Sequence, residues 1–259
     1  MPLSSVQTDV LRLLASHRDP HSFVAGGAPL NRNGPRYPDD IDIFISPEER
    51  VAPSALADAQ TLAAAGYRVS WLKQKPSMCT AEVARGHAST GIDWGVFYDY
   101  AFFPTMRDEI FGHVQHPIDT ASLKLLNASW RREIHDVLDL VTIHESIVPL
   151  GALIWAAAER SRVPRTPAGL IASLRQNLYH PAVEWRTLRC TRSVDPKSTT
   201  ARLVIALDDA EAFAARMPTG KLNLLFLRDG KVVQPDPDRL EDYQTHAAQS
   251  GGHWPAASS

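Results

Sequence analysis

Two aspartates in the stretch "DDIDIF" have a spacing suited to metal chemistry. Asp40 and Asp42 alternate with Ile41 and Ile43. On a β-strand both carboxylates therefore point to one face, about 6.5–7 Å apart along the chain. Such a pair can hold one or two divalent cations. The alternative interpretation is the solvated face of an edge strand.

A glycine pair precedes these acids. Gly26 and Gly27 end the apolar run "SFVAGG". Glycines let a backbone approach an anionic group closely, with its N–H groups directed at that group. The turn and the two carboxylates together fit a metal-bound nucleoside triphosphate. Taken alone, a Gly-Gly after a strand usually marks only a turn.

A third carboxylate would complete such a site. Asp93 lies in "GIDWGVFY", between Ile92 and Trp94. Aspartate is disfavoured in the middle of a strand unless it has a partner. A hydrogen bond to a neighbouring loop would also explain Asp93. The order of glycine pair, D-x-D and a later strand aspartate favours the functional interpretation.

Several elements must position these residues. Apolar spacing predicts helices over 6–17 and 53–65, the second ended by Gly66. Strands on either side of "HAST" are predicted to pair as a hairpin, and Asp229-Gly230 indicates a second hairpin. The stretch "ARLVIAL" has a pattern typical of a strand, whereas 120–146 is strongly helical.

The predicted fold class is α/β. Residues 1–148 form a mixed-sheet domain, and 149–245 form a mainly helical domain with a basic segment. Residues 246–259 are poor in large apolar side chains and are expected to be flexible.

Composition excludes several classes of protein. The net charge of −2 gives no general argument for nucleic acid, but residues 159–202 hold nine Lys or Arg against three Asp or Glu. The two cysteines, Cys79 and Cys190, make neither a disulfide framework nor a zinc site. The N-terminus lacks the pattern of a secretory signal, and no apolar run is long enough to span a bilayer. We therefore expect a cytoplasmic protein without a membrane partner.

The motif "GGAPLN…DDIDIF" resembles the opening signature of the nucleotidyltransferase superfamily. A later stretch, "DTASLKLLNASWRREIHDVLDLV", is similar to the second signature of its AbiEii-type branch, in which a helical lysine precedes Asp-x-x-Asp-Leu. Lys124, Asp136 and Asp139 match that lysine and those acids. His135 departs from the pattern, because the family usually has Arg or Lys before the first acid. The branch includes toxins of toxin–antitoxin systems, and the resemblance covers about residues 20–145.

The resemblance implies a mechanism and a set of roles. The three aspartates would bind two Mg²⁺ ions, and Lys124 would neutralise the triphosphate of an NTP substrate. The acids of the second signature would orient Lys124 or contact the base or ribose. The implied sites, listed together, are metal-binding Asp40, Asp42 and Asp93, and nucleotide-binding Gly26, Gly27, Asn31, Lys124, Asp136 and Asp139. A solvated helix face is the alternative for Lys124, and a surface charge is the alternative for Asp136.

Helix geometry constrains the second signature. In one straight helix Lys124 and Asp136 lie about 18 Å apart along the axis and cannot meet. We therefore predict that the helix breaks near 127–130, where Ser129 can cap a new helix.

The acceptor is the least constrained part. Arg186, Arg189 and Arg192 recur every three residues, so on a helix they would form a basic stripe. That stripe would bind RNA phosphates or be a solvated face. The predicted reaction is NMP transfer to a hydroxyl acceptor such as RNA or a tRNA end, with a cognate antitoxin as a possible partner. The alternatives are a small-molecule acceptor such as an aminoglycoside, and an inactive nucleotide-binding module.

Overall fold

The computed structural model describes residues 2–97, 100–158 and 166–256. The chain divides into two compact units. The first comprises Met1–Tyr100 and Pro104–His116, and the second comprises Ala101–Phe103 and Pro117–Ser259. Of the predicted segments, residues 159–165 of the basic segment and 257–259 of the tail lie outside the described residues.

The described elements are as follows in chain order. The helices are α1 (Ser5–Leu14), α2 (Gly27–Leu30), α3 (Val51–Ala64), α4 (Pro117–Trp130), α5 (Ile134–Ser146), α6 (Leu150–Ala157), α7 (Pro167–Asn177), α8 (Ala182–Trp185) and α9 (Pro196–Arg216). The strands are β1 (Ser22–Ala25), β2 (Asp40–Ile45), β3 (Arg68–Lys75), β4 (Met78–Arg85), β5 (Ala88–Val96), β6 (Tyr100–Ala101), β7 (Met106–Asp108), β8 (Gly112–Val114), β9 (Leu224–Arg228), β10 (Lys231–Val233), β11 (Gln244–Ala247) and β12 (Gln249–Ser250).

The first unit is built on a seven-stranded mixed sheet. Its order is β3-β4-β5-β2-β1-β8-β7. The pairs β2–β5 and β1–β8 are parallel, and the neighbouring pairs are antiparallel. The hairpin predicted around "HAST" is confirmed by the antiparallel pairing of β4 with β5. The fold is the mixed-sheet α/β arrangement that the sequence predicts.

Strand β2 follows the alternation of its sequence. Ile41, Ile43 and Ile45 are buried and pack in a core that includes residues of α1 and α3. Because successive side chains of a strand point to opposite faces, Asp40 and Asp42 lie on the other face and are half-buried. Burial of the isoleucines thus sets the direction of the acids.

Helices dominate the second unit. Helices α4, α5, α6 and α7 pack against one another or against the long α9. The strand predicted at "ARLVIAL" is wrong, since these residues lie in the middle of α9. The buried positions Leu203, Ala206, Leu207 and Ala210 have helical spacing. The start of α9 also carries a signal in the sequence. Asp195 is its N-cap, accepting hydrogen bonds from the N–H groups of Lys197 and Ser198, and a proline follows.

A small sheet, β10-β9-β11, completes the second unit. Its β9–β10 hairpin is confirmed at Asp229-Gly230, and both residues have the positive φ of the turn. The segment that is predicted to be flexible begins in this sheet. His246 lies in β11, is buried, and has Nε2 2.8 Å from the carbonyl oxygen of Phe102. Its ring stacks on Phe103, so an imidazole supplies the packing that large apolar side chains usually provide.

The boundary between the units lies at 116/117, not at 148. Helices α4 and α5 precede residue 148 but pack with α6, α7 and α9, which places them in the second unit. Among the described residues, no single helix is long and apolar enough to cross a membrane. Helices α5 and α6 meet that criterion only together, across a bend of 107°.

Candidate metal centre and supporting side chains

Three carboxylates converge on one face of the sheet. In the register of the strands, Asp42 on β2 lies opposite Asp93 on β5, and Asp40 is two residues earlier on the same face as Asp42. One carboxylate oxygen from each residue lies within 4.8 Å of the other two, and all three residues are half-buried. The strand alternation of the sequence predicts this convergence.

The donor set suits a hard divalent cation. It consists of carboxylate oxygens, which Mg²⁺ prefers, and contains neither sulfur nor imidazole. Three negative charges within this distance repel one another unless a cation lies between them. These residues therefore fit the magnesium site that the resemblance implies.

Thr80 on β4 orients the third acid. Its hydroxyl donates a hydrogen bond of 2.6 Å to Asp93 Oδ1, and the two residues are cross-strand neighbours. No motif in the sequence marks Thr80. The signal that could have found it is the register of the "HAST" hairpin, which pairs position 80 with position 93.

Gly26 makes room for Asp42. Its φ of 68° and ψ of −142° lie in a region that glycine adopts and other residues avoid. A Cβ atom at this position would lie 1.8 Å from Asp42 Oδ2. Since β1 and β2 pair with Ala25 opposite Asp42, the chain turns directly beside the carboxylate. The glycine is required by the close approach of its own backbone to the acid.

Two buried polar side chains support the turn that follows. Asn31 donates through Nδ2 to the carbonyl oxygen of Gly27 at 3.2 Å. The guanidinium of Arg36 lies beside Gly27, where a Cβ would be 3.0 Å from Nη2. Asn31 thus lies beneath the turn, where it stabilises the short helix α2. Arg36 is a further cation at the turn, and no motif in the sequence marks it.

The opposite face of β5 is fixed by a buried ion pair. Asp58 of α3 accepts hydrogen bonds from Arg18 at 2.6 Å and from the indole of Trp94 at 2.7 Å. His17 Nδ1 lies 2.7 Å from the same carboxylate. Because Trp94 is adjacent to Asp93, this network holds the strand that carries the third acid.

The second signature folds into a separate ionic cluster within the second unit. Lys124 of α4 makes ion pairs with Asp136 at 3.0 Å and with Asp139 at 2.9 Å, both on α5. All three side chains are buried, Asp139 completely. The helix break that allows this contact is confirmed, but it covers residues 131–133, later than predicted. Ser129 does not start a new helix, because its hydroxyl donates to the carbonyl oxygen of Leu126 within α4.

Arg131 is a second cation beside Asp136. Its Nε lies 2.9 Å from Asp136 Oδ2, and His135 Nε2 lies 3.2 Å from Oδ1 of the same carboxylate. Burial raises the pKa of Asp136, but hydrogen bonds from His135 and Arg131 and the charge of Lys124 outweigh it. The net effect holds the pKa of Asp136 well below its ordinary range. The acid is therefore ionised at neutral pH.

The three arginines of the predicted basic stripe do not lie on one helix. Helix α8 ends at Trp185, Arg186 is its C-cap, and Arg189 and Arg192 lie outside any helix. All three side chains are exposed. The spacing of three residues therefore does not align the arginines.

Comparison with known proteins bears on the fold. No family model matches the chain, and no curated protein matches it. Among solved structures it is similar to MenT4, a nucleotidyltransferase toxin from Mycobacterium tuberculosis H37Rv, with 14% identity and a TM-score of 0.56 over 81% of this chain and 85% of that chain.

Two further similarities are distant. Cid1 poly(U) polymerase, with Mg and 3′-dATP bound, has 13% identity and a TM-score of 0.30 over 76% of this chain and 64% of its own. A cytoplasmic RNA terminal U-transferase has 14% identity and a TM-score of 0.28 over 63% of this chain and 53% of its own. These two scores carry no argument. The similarity to MenT4 shows that this chain has the fold of a nucleotidyltransferase.

Proposed function

We propose that the protein is a metal-dependent nucleotidyltransferase that moves an NMP from an NTP to a hydroxyl acceptor. The observation that carries the proposal is the convergence of Asp40, Asp42 and Asp93 within 4.8 Å on a half-buried sheet face. Aspartates that were buried or far apart would instead favour an inactive module. The nucleotidyltransferase fold supports the same conclusion.

The residues of the chain have distinct tasks in this reaction. The three aspartates hold the metal, Thr80 keeps Asp93 oriented toward it, and Gly26 leaves space for the carboxylate of Asp42. When bound, two Mg²⁺ ions would lower the pKa of the acceptor hydroxyl and stabilise the leaving pyrophosphate. The acceptor oxygen forms a bond to the α-phosphorus, the bond to the bridging oxygen breaks, and the hydroxyl proton passes to solvent.

The resemblance assigns Lys124 to the triphosphate. Its ammonium pairs with Asp136 at 3.0 Å and with Asp139 at 2.9 Å. Such a pair of acids restricts the rotamers of the lysine. In this proposal Asp136 and Asp139 are positioning residues for Lys124.

RNA, with a tRNA end as the specific case, is the acceptor that the toxin branch favours, and an antitoxin would then be the partner. A cationic small molecule is the second candidate, because the second unit contains a cavity of about 700 Å³ lined in part by Asp209, Asp236 and Asp238. Arg216 pairs with Asp238 at 2.6 Å and lies 3.8 Å from Asp236, so much of that negative charge is already balanced.

Incubation with each α-labelled NTP tests the proposal. The protein is mixed with Mg²⁺ and either total RNA or an aminoglycoside, and the products are separated by gel or thin-layer chromatography. We expect label to enter RNA with one or a few of the four NTPs, and chelation of the metal by EDTA to prevent it. Label on the aminoglycoside would select the second candidate. Absence of transfer to either acceptor would contradict the proposed function.

A further inference from the structure

The sheet face that carries the metal centre continues beyond it. In the strand register, Asp42 lies opposite Asp93, Asp93 opposite Thr80, and Thr80 opposite Lys73 on β3. Lys73 therefore belongs to the same face as the three acids. It is two strands away from Asp93, about 10 Å at the usual strand spacing.

This face is shallow beside the third acid. Gly91 and Gly95 lie two residues before and two residues after Asp93, on the same face of β5. A Cβ at Gly91 would lie 3.4 Å from Cβ of Asp40, and one at Gly95 would lie 3.8 Å from the ring of Phe44. Both distances are ordinary van der Waals contacts, so a side chain would fit at either position. Packing alone therefore does not explain these glycines. Glycine within a strand also marks places where a ligand approaches the backbone.

The outer edge of the face is cationic. Lys73 and Lys75 are exposed on β3, which is the edge strand of the sheet. Lys73 Nζ lies 3.0 Å from Sδ of Met78, the β4 residue opposite Gly95, so the ammonium lies over the face. Met78 is 41% exposed and presents an apolar surface between the lysines and β5. Glu82 on β4 lies opposite Gly91, so an exposed acid also lies on this face.

We propose that this surface, formed by Lys73, Lys75, Met78, Gly91 and Gly95 and here named the acceptor platform, binds a single-stranded RNA acceptor. The inference rests on the proposed function and specifies its acceptor. The lysines bind phosphates of the RNA, and the 3′ hydroxyl reaches the metal centre. A distance of about 10 Å corresponds to about three phosphates at the ~3.4 Å spacing along one stacked strand.

Charge complementarity favours RNA as the ligand of this surface. The metal centre attracts cations, so a polyanion needs separate positive charges to remain beside it, and the two lysines supply them at the edge. A lysine on an edge strand can also serve only to prevent pairing with other strands. If the lysines only prevent strand pairing, replacing them should not change the binding of the RNA acceptor. Measuring that binding therefore distinguishes the two roles.

The test is the double variant Lys73→Ala and Lys75→Ala. We expect its KM for a short single-stranded RNA with a free 3′ hydroxyl to rise by ~10-fold or more at low salt. The slope of log Kd for that RNA against log salt should fall by about 1.4, since each single-strand phosphate contact contributes about 0.7. The KM for NTP is the internal reference and should change by less than about twofold, because the metal and glycine turn are retained.

The matched control removes two exposed lysines elsewhere, Lys221→Ala with Lys231→Ala, and should leave both RNA parameters unchanged. Restoring charge with Lys73→Arg and Lys75→Arg should recover most of the RNA affinity. An unchanged KM and salt slope in the alanine variant would overturn the acceptor platform while leaving the proposed function intact. Wild-type transfer to the aminoglycoside alone would also overturn it. Failure of the proposed function would appear as no transfer by the wild type. In that case, equal slopes of log Kd for RNA against log salt in the wild type and the alanine variant would overturn the acceptor platform independently.

Discussion

The two acidic clusters of this chain differ in what surrounds them. In the first unit, three aspartates lie within 4.8 Å of one another on a half-buried sheet face. In the second unit, Asp136 and Asp139 are buried, and Lys124 and Arg131 pair with them. The first cluster concentrates negative charge, whereas the second balances it with the chain's own cations. Neutralising an acid should therefore impair activity in the first cluster and stability in the second.

The largest expected effect is the loss of transfer on replacing Asp42 by Asn. We expect NMP transfer to fall by at least ~10³-fold, because a metal ligand is lost. The free energy of unfolding without metal should stay within about 1 kcal/mol of wild type, since the substitution relieves repulsion at a half-exposed site. Enzyme assays and urea titrations measure the two effects. Asp39→Asn, at the adjacent exposed aspartate, is the control and should retain transfer. Wild-type transfer rates in the Asp42 variant would eliminate the metal role.

The corresponding change in the second cluster is Lys124→Met. It leaves two buried carboxylates without their central cation, so we expect a loss of about 3–5 kcal/mol in the free energy of unfolding. Adding Asp136→Asn and Asp139→Asn to this variant should restore part of the loss. Lys221→Met, at an exposed lysine, is the control. A stable Lys124 variant that lacks only transfer would show that the lysine serves chemistry alone.

Gly26→Ala tests the close approach to the metal centre. Its Cβ would lie 1.8 Å from Asp42 Oδ2 at a positive φ, so we expect a cost of about 2–4 kcal/mol and a loss of transfer of ~100-fold. Gly86→Ala is the matched control, because Gly86 also has a positive φ but nothing lies within 4 Å of its added Cβ. That control should cost about 1 kcal/mol and keep full activity. Equal losses of stability and of transfer in the two variants would mean that the positive φ, and not the approach of Asp42, requires glycine at position 26.

The pH dependence of stability distinguishes the buried cluster. The pKa of Asp136 is depressed from its ordinary value of 3.8, so its stabilising contribution is present above about pH 4 and is lost as pH falls toward the folded-state pKa. At pH 7 we expect Asp136→Asn to cost about 2–4 kcal/mol. The difference from wild type should shrink below pH 4, as measured by urea unfolding at several pH values. A difference that does not vary with pH would contradict the ionised state of Asp136.

The smallest expected effect is that of Thr80→Val. Loss of the 2.6 Å hydrogen bond to Asp93 should lower kcat/KM by ~10-fold and raise the Mg²⁺ concentration needed for half-maximal rate. Thr90→Val is the control, since Thr90 lies on the other face of β5 and its hydroxyl donates to the carbonyl oxygen of Gly91. We expect that variant to lose some stability. The Mg²⁺ concentration that it needs for half-maximal rate should equal that of the wild type. Identical metal titrations for both variants would show that Thr80 has no role in orienting Asp93.

The errors of the sequence-based predictions have a common cause. The stretch "ARLVIAL" contains β-branched residues typical of strands, yet the apolar face shared with α5, α6 and α7 makes it helical. The composition predicts a flexible tail from residue 246, yet His246 has an acceptor in Phe102 and a stacking partner in Phe103. Both predictions weighed local composition, whereas the outcome depended on contacts between distant segments.

The sequence by itself determined the direction of the strand acids Asp40 and Asp42, the glycine turn before them, and the need for a break between Lys124 and Asp136. These follow from strand alternation, from the conformations open to glycine, and from the rise of a helix, which are all local properties. Only the tertiary structure decided that Thr80 hydrogen-bonds Asp93, that Arg131 pairs with Asp136, and that Lys73 shares the face of the acids. Register between strands and packing between helices join residues far apart in the chain, and no local pattern encodes those pairings.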